Sequence, residues 1–191
     1  MDTIFIVWLL MIVYFVIDAR LRRGANAKSY EAGEFDQKTS YQLAITHGAV
    51  ILIILFSPIL NNYQIGQMVG VPIVKWIGFG MMLIGLALRI WAMTVLGQFY
   101  TRTLRTTSDQ QIVREGPYRL IRHPGYLASL LFWIGAGLAT ANWLVAAGIT
   151  LAFILAYRSR IRAEETMLLA TFGQAYKDYS QQTWRLIPFL F

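Results

Sequence analysis

Hydrophobic residues fall in long runs that recur along the whole chain, with polar loops between them. A run of about 20 apolar residues is long enough to cross a bilayer as a helix. Five spans can be drawn, at Thr3–Ala19, Tyr41–Leu60, Pro72–Leu96, Tyr126–Leu138 and Trp143–Tyr157. The pattern predicts an all-α, polytopic integral membrane protein with a bundle of about five transmembrane helices.

The last two spans are short and are separated only by Ala139–Asn142. This spacing predicts a tight helical hairpin with Asn142 at its corner. Further on, Phe172–Tyr179 and Trp184–Pro188 predict an amphipathic interfacial helix and an aromatic belt. This C-terminal segment either caps a cavity or only anchors the chain at the membrane surface.

Composition supports a membrane protein, because 57% of the 191 residues are hydrophobic and only 14% are charged. The absence of cysteine excludes disulfides, thiolate metal sites and cysteine nucleophiles. The run Thr3–Ile17 lacks a basic lead and a small-residue cleavage site, which indicates a retained span rather than a signal peptide. We expect a single domain over 1–191, with three spans in 1–96 and a functional half in 97–191.

Basic residues predict the orientation of the chain in the membrane. Fifteen of the 17 Lys and Arg residues lie in Arg20–Lys38, Arg102–Arg122 or Arg158–Arg185, whereas Asn61–Val71 and Ala139–Asn142 carry no charge. The positive-inside rule therefore places the N-terminus outside and the C-terminus in the cytoplasm. Because topology explains the net charge of +7, we expect no nucleic-acid partner.

Several polar or small residues lie within the spans. Gly78, Gly80 and Gly85 favour close helix packing, and His47 favours a packing or hydrogen-bonding role. Arg89 either snorkels to the interface or pairs with an acidic group of a cavity, and the sequence leaves the two open.

A loop rich in rings and charges, Gly116–Tyr126, precedes the fourth span. Pro124 disfavours the α conformation at His123, so the backbone should break just before the span begins. Irregular backbone beside a membrane is tolerated where it is buried in protein or lines a polar cavity. Ionisable groups at this position indicate a ligand site.

A second polar cluster, Arg158–Glu165, follows the fifth span. If the helix continues, Arg160 and Glu164 lie on one face, four residues apart. An interfacial ion pair with snorkelling arginines would explain this cluster alone. The predicted hairpin, however, brings the two clusters to one end of the bundle, where we expect a single cytoplasmic cavity.

Together these residues resemble the isoprenylcysteine carboxyl methyltransferase family and its bacterial and phospholipid-methylating relatives. The resemblance covers about the C-terminal half, and the first three spans match only in hydrophobicity. It is carried by Gly116-Pro117-Tyr118, Arg122-His123-Pro124-Gly125-Tyr126, Arg160, Glu164-Glu165, Phe172-Gly173, Tyr176 and Tyr179.

The resemblance implies an enzyme that transfers a methyl group from S-adenosyl-L-methionine and binds it without a Rossmann domain. It implies that Arg160 holds the acceptor carboxylate. The implied cofactor contacts are Gln110, Gln111, Ile112, Val113, Tyr118, His123, Pro124, Gly125, Tyr126 and Glu164.

The chemistry agrees with these residues. A carboxylate acceptor is already ionised at neutral pH, so in-line methyl transfer needs neither a general base nor a metal. Orienting the reactants and excluding water can be worth about 7–11 kcal/mol. We expect Arg160, whose guanidinium offers paired donors, to orient the acceptor more than neutralise it. Glu164 would accept hydrogen bonds from amino or ribose groups of the cofactor.

Other functions remain open at this point. A phospholipid amine or thiol methyltransferase would not need an arginine for a carboxylate, and a sterol-reductase-like enzyme would use NADPH. A non-catalytic scaffold would leave the grouping of Tyr118, His123 and Glu164 unexplained. We expect a lipophilic or lipidated acceptor and membrane lipid as partners, with no obligate protein partner, while acceptor identity and oligomeric state stay open.

Overall fold

The computed structural model describes residues 3–22, 33–36, 38–99, 104 and 111–189. Its described residues form helices and no β-strand. The α-helices are α1 Thr3–Leu21, α2 Thr39–Asn62, α3 Pro72–Leu96, α4 Pro124–Ala139, α5 Trp143–Phe172 and α6 Gln174–Gln181. Short 3₁₀ helices occupy Glu34–Asp36, Gly97–Phe99 and Gly116–Arg119.

Four helices, α1, α2, α3 and α5, are long and apolar enough to cross a membrane. The fifth, α4, is apolar but has only 16 residues, a length of about 24 Å. The predicted all-α bundle is confirmed, with α4 and α5 folded as the predicted hairpin. However, α5 continues beyond the predicted limit at Tyr157, because strong helix formers follow and the first breaker is Gly173.

Glycines bring α3 and α4 into close backbone contact. A Cβ atom at Gly78 would lie 2.5 Å from the backbone nitrogen of Ala139, and one at Gly85 would lie 2.6 Å from that of Phe132. From the opposite side, a Cβ atom at Gly135 would lie 2.6 Å from the carbonyl oxygen of Gly78. Packing through small residues is therefore confirmed for Gly78 and Gly85. It is wrong for Gly80, whose Cβ would meet nothing within 4 Å.

Asn142 turns the corner between α4 and α5, as the sequence predicts. Its side chain caps α5 by accepting a hydrogen bond from the amide of Val145 at 3.1 Å. Its Nδ2 atom donates to Oδ1 of Asn61 at 2.9 Å and to the carbonyl of Ile65 at 2.8 Å. One buried amide thus holds the hairpin turn against the connection between α2 and α3.

The core between the helices is aromatic, and it accounts for His47. Trp133 of α4 and Phe153 of α5 are fully buried. The His47 ring packs edge-on against both, with centroid distances of 5.5 and 4.9 Å, and its Nδ1 atom lies 2.7 Å from the carbonyl oxygen of Leu43. His47 therefore has the packing and hydrogen-bonding role that the sequence favours.

At the opposite end of the bundle, a buried ion pair joins the turn before α2 to α5. Nη1 of Arg160 lies 2.6 Å from Oδ1 of Asp36 and also donates to Oγ1 of Thr39 and Oγ of Ser40. Asp36 and Arg160 are each 3% exposed. Burial alone would raise the pKa of Asp36, but the Ser40 hydrogen bond and the Arg160 charge outweigh it and hold the pKa below its ordinary value.

The α3–α4 contact predicts which glycines tolerate a methyl group. Gly78→Ala and Gly85→Ala should each destabilise the fold by about 1–3 kcal/mol, because backbone atoms must move apart. Gly80→Ala is the matched control on the same helix, and it should be neutral or stabilising because alanine is the better helix former. Denaturant titration in detergent measures the free energy of unfolding of all three variants. Equal loss of stability in all three would contradict the close contact.

The Asp36–Arg160 pair predicts a pH dependence of stability. Because the pKa of Asp36 is lower in the folded than in the unfolded state, its contribution is complete above the ordinary value of 3.8 and is lost as the pH falls below it. Asp36→Asn should cost about 3–5 kcal/mol at pH 7, since Arg160 loses its charged partner, and should weaken the loss of stability on acidification. Thermal unfolding of the wild type and of Asp36→Asn at pH 3, 5 and 7 measures both the loss of stability and its pH dependence. Asp178→Asn, at an exposed carboxylate, is the control, and an unchanged acid profile in Asp36→Asn would refute the assignment.

Candidate functional site

The break before α4 forms as the proline predicts. A 3₁₀ helix at Gly116–Arg119 leads into the loop, and α4 begins at Pro124, where a missing amide hydrogen costs nothing. His123 has φ −123° and ψ 55°, outside the helical region, and its carbonyl accepts from the amides of Tyr126 and Leu127. The loop thus ends at His123, which is only 4% exposed and directly precedes the first residue of α4.

The α4–α5 hairpin brings the two polar clusters of the sequence together. Tyr126 Oη donates to Oε2 of Glu164 at 2.5 Å. Nδ1 of His123 lies 3.8 Å from the same oxygen, and Nε2 lies 3.4 Å from Oε1 of Glu165. The imidazole and the acidic pair therefore lie in direct contact, although 40 residues separate His123 from Glu164 in the sequence.

A cavity opens beside this cluster, between α3, the loop before α4, α4 itself, α5 and α6. Most of the predicted cofactor contacts line it. They are Gln111, Ile112, Val113, Tyr118, His123, Gly125, Tyr126 and Glu164. Further walls come from Arg89, Met93, Leu96, Phe99, Arg122, Met167, Leu168, Tyr176 and Tyr179.

Gln110, a predicted cofactor contact, lies outside the described residues. Two other predicted site residues stand apart from the cavity wall. Pro124 is buried at the first position of α4 and does not line the cavity. Arg160 does not line it either, because it lies behind Tyr126, whose Oη accepts from its Nε at 3.2 Å, while Nη1 binds Asp36. Arg160 therefore contacts the cavity only through the Tyr126 hydroxyl among its described contacts.

Arg89 supplies a guanidinium to the cavity wall instead. Its Nε and Nη2 donate to Oδ1 of Asp18 in α1, at 3.1 and 2.7 Å. Its Nη1 donates to the carbonyl of Gly125 at 3.1 Å. Arg89 thus pairs with an acidic group rather than snorkelling, but Asp18 is not among the residues that line the cavity. The sequence reading missed Asp18, although a carboxylate and a guanidinium that both lie within spans are each expected to find a partner.

The C-terminal segment closes one side of the cavity. Backbone hydrogen bonds join this segment to the loop before α4. The amide of Arg122 donates to the carbonyl of Trp184 at 2.8 Å. The amide of His123 donates to the carbonyl of Arg185 at 3.2 Å, and that of Trp184 donates to the carbonyl of Leu120 at 2.8 Å. The segment that the sequence allowed to be either a cap or an anchor therefore caps the cavity.

Glu165 is the centre of the ionic contacts that hold this cap. Its Oε1 accepts from Nε of Arg122 at 3.0 Å, and its Oε2 lies 2.9 Å from Nη2 of Arg185. Nη1 of Arg122 donates onward to the carbonyls of Ser180 and Thr183. Glu165 therefore joins α5, the loop and the C-terminal segment, whereas Glu164 faces the cavity.

Two tyrosines of α6 complete the wall. The sequence placed both in the segment that could cap the cavity, but did not predict either as a cofactor contact. Burial, reinforced by the Glu165 charge, raises the pKa of Tyr176, so its hydroxyl stays protonated. That hydroxyl is buried without a hydrogen-bond partner among the described residues. Burial also raises the pKa of Tyr179 to about 12, and its hydroxyl donates to the carbonyl of Tyr118 at 2.8 Å.

Among the residues that the structure describes, the cavity therefore combines aromatic rings, the Glu164 carboxylate, the guanidiniums of Arg89 and Arg122, and the Tyr176 hydroxyl without a partner. Aromatic faces and a carboxylate attract a cationic ligand. A buried hydroxyl without a partner costs free energy unless a ligand accepts its hydrogen bond. This arrangement can bind a positively charged polar molecule next to a guanidinium that can orient an anion.

Comparisons with known proteins agree with this geometry. The model of the isoprenylcysteine carboxyl methyltransferase (ICMT) family matches residues 76–170. Among solved structures, that of the eukaryotic intramembrane Ras methyltransferase ICMT is similar to this chain, with a TM-score of 0.68 and 26% sequence identity. That match covers 93% of this chain and 62% of the solved one.

Curated plant relatives carry names from the same family. The probable protein-S-isoprenylcysteine O-methyltransferase of Oryza sativa subsp. indica is 32% identical over 119 residues, which are 61% of this chain and 62% of the relative. Protein-S-isoprenylcysteine O-methyltransferase B of Arabidopsis thaliana is 27% identical over 175 residues, 82% of this chain and 89% of the relative. The chain thus spans less than two thirds of the rice relative and of the solved protein. By its motif, its helical architecture and these similarities, the chain is an integral, multi-pass membrane protein that belongs to the isoprenylcysteine carboxyl methyltransferase family.

Proposed function

We propose that this protein is an S-adenosylmethionine-dependent membrane methyltransferase. Its acceptor is a carboxylate of a lipophilic or isoprenylcysteine-like molecule, and methyl transfer takes place at the cytoplasmic face. The observation that carries the proposal is the hydrogen-bonded pair Tyr126–Glu164 beside His123, in the wall of one cavity. Family membership and the names of the relatives support the same reaction.

The cavity residues fit S-adenosylmethionine, which supplies an activated methyl group on a sulfonium. Glu164 accepts one hydrogen bond from Tyr126 and keeps acceptor capacity for an amino or ribose group. The unpartnered Tyr176 hydroxyl offers a donor inside the same wall. The rings of Tyr118 and Tyr179 give the positive charge an aromatic surrounding.

Three arginines lie in or beside the cavity wall. Arg122 is bound to Glu165 and to two carbonyls of the C-terminal segment. The surroundings of the other two separate them as candidates for the acceptor contact. Arg160 is 3% exposed and is bound to Asp36 and to the Tyr126 hydroxyl. Arg89 lines the cavity beside Gly125. We therefore assign the acceptor contact to Arg89, and the expected role of Arg160 becomes the positioning of Tyr126.

Catalysis in this site needs positioning more than acid–base chemistry. The acceptor carboxylate is ionised at neutral pH, so no residue has to remove a proton from it. Arg89 would orient its oxygen, and the C-terminal segment, which contributes Tyr176 and Tyr179 to the cavity wall, would exclude water. Such positioning can supply about 7–11 kcal/mol of the barrier reduction.

The location of the cavity suits both reactants. Basic residues concentrate at its end of the bundle, which the positive-inside rule assigns to the cytoplasm, where the water-soluble cofactor is available. A lipid-linked acceptor reaches the same level by diffusing within the membrane.

Cofactor binding is the first test of the proposal. Wild-type protein in detergent should bind S-adenosylmethionine in isothermal titration calorimetry. Glu164→Gln should bind it about 10- to 100-fold more weakly, because a hydrogen bond to a charged group is lost. Glu115→Gln, at an exposed carboxylate in the adjacent loop, is the matched control and should bind as wild type does.

NADPH serves as the second titrant in the same experiment. Binding of NADPH without S-adenosylmethionine would reject the methyltransferase and favour the sterol-reductase-like alternative. Equal weakening in Glu164→Gln and Glu115→Gln would reject the assigned role of Glu164.

Paired lysine substitutions test the two arginines. With saturating S-adenosylmethionine and N-acetyl-S-farnesylcysteine as acceptor, Arg89→Lys should lower kcat/KM for the acceptor about 10- to 100-fold, because lysine cannot offer the paired donors. Its affinity for S-adenosylmethionine should stay largely unchanged. Arg160→Lys should instead weaken cofactor binding and stability through Tyr126 and Asp36. A selective loss of acceptor kinetics in Arg160→Lys alone would return the carboxylate contact to Arg160.

A further inference from the structure

The first helix reaches the cavity through a carboxylate. Asp18 lies near the end of α1 and is 3% exposed. Its Oδ1 accepts two hydrogen bonds from Arg89, and its Oδ2 accepts from Arg22, which follows the last residue of α1. Asp18 lies outside the residues that the family model matches, which begin at 76.

The Asp18–Arg89 ion pair is buried, and burying two charges is unfavourable. A pair that is present despite this penalty is a candidate for a functional role. The side chain of Asp18 is 4% exposed and that of Arg89 is 11% exposed. Removing two charges from water costs several kcal/mol per ion before their attraction offsets it, and apolar residues of similar size often stabilise a fold as well or better. Ionisable groups kept inside a membrane protein are therefore functional candidates with a named partner.

The contacts of Arg89 fix both the place and the direction of its guanidinium. Asp18 holds the Nε–Nη2 edge, and the Gly125 carbonyl holds Nη1 from the other side. A Cβ atom at position 125 would lie 3.3 Å from Nη1, so the missing side chain of Gly125 lets the arginine approach the start of α4. The guanidinium is thus clamped between α1 and α4 while it lines the cavity.

We propose that Asp18 is a positioning residue for the acceptor, acting through Arg89. It holds the guanidinium in the orientation that meets the acceptor carboxylate, and its own charge offsets part of the positive charge that the acceptor encounters. Partial neutralisation prevents Arg89 from binding the ground-state carboxylate so tightly that the attacking oxygen is stabilised before transfer. The inference rests on the proposed function, because it presumes an acceptor carboxylate at Arg89.

Steady-state kinetics test this with the full-length protein in detergent, S-adenosylmethionine and N-acetyl-S-farnesylcysteine. Asp18→Asn keeps the size of the side chain and removes its charge. We expect its kcat to fall about 10- to 100-fold, because a slightly misplaced group loses that much rate. KM for the acceptor should not rise, and the Kd for S-adenosylmethionine should stay that of wild type.

Two further variants separate positioning from stability. Arg22→Gln removes the other partner of Asp18, which does not line the cavity, so it should lower the Tm without the selective fall in kcat. In an Arg89→Lys background, Asp18→Asn should cause little additional loss of kcat, since residues that act through one another are not additive. Wild-type kcat in Asp18→Asn, or a full additional loss in the double variant, would overturn the inference.

An NMR measurement, which does not depend on enzymatic activity, tests the Asp18 inference separately from the proposed function. In ¹⁵N-arginine NMR, the Nε–H of Arg89 should be protected from solvent exchange in wild type and should exchange faster in Asp18→Asn. Unchanged exchange would overturn the Asp18 inference whatever the kinetics show. A wild-type protein that neither binds S-adenosylmethionine nor methylates the acceptor would reject the proposed function, and the NMR result would still decide whether Asp18 holds Arg89.

Discussion

The close approach of α3 and α4 is the contact on which the site depends. Gly78 and Gly85 let the two backbones meet without side chains between them. Arg89 follows Gly85 by one turn, on the same side of α3, and it therefore faces the beginning of α4 and donates to Gly125. A wider separation of α3 and α4 would move the Arg89 guanidinium away from the Gly125 carbonyl. Helix packing through small residues, common in membranes, here sets the width of a polar cavity.

Buried charges complete this arrangement by joining segments that are distant in the sequence. Asp18 connects α1 to α3, Asp36 connects the turn before α2 to α5, and Glu165 connects α5 to the loop and to the C-terminal segment. Each of these carboxylates binds at least one arginine. Together they join α1, the turn before α2, α3, α5, the loop before α4 and the C-terminal segment at this end of the bundle. Glu164, in contrast, is held by Tyr126 and keeps its capacity to bind a ligand.

The sequence predicts the parts of this fold that depend on length and local chemistry. Span lengths predicted the bundle, the four-residue gap predicted the hairpin, and the proline predicted the break at His123. From the hairpin alone, the contact between His123 and the acidic pair followed. The pairings of Asp18 with Arg89 and of Asp36 with Arg160 did not follow, because they depend on the rotation of each helix about its axis. Uniformly apolar spans contain no signal for that rotation, and 71 or 124 residues separate the partners.

The shortness of α4 has a consequence for the depth at which polar groups can lie. A helix of about 24 Å is shorter than a hydrocarbon layer of about 30 Å. No residue of α4 is exposed, so neighbouring helices rather than lipid surround it. Irregular backbone at the depth of the lipid tails is tolerated where protein encloses it. A short, enclosed helix thus lets the polar loop at its start be recessed from the membrane surface without touching hydrocarbon.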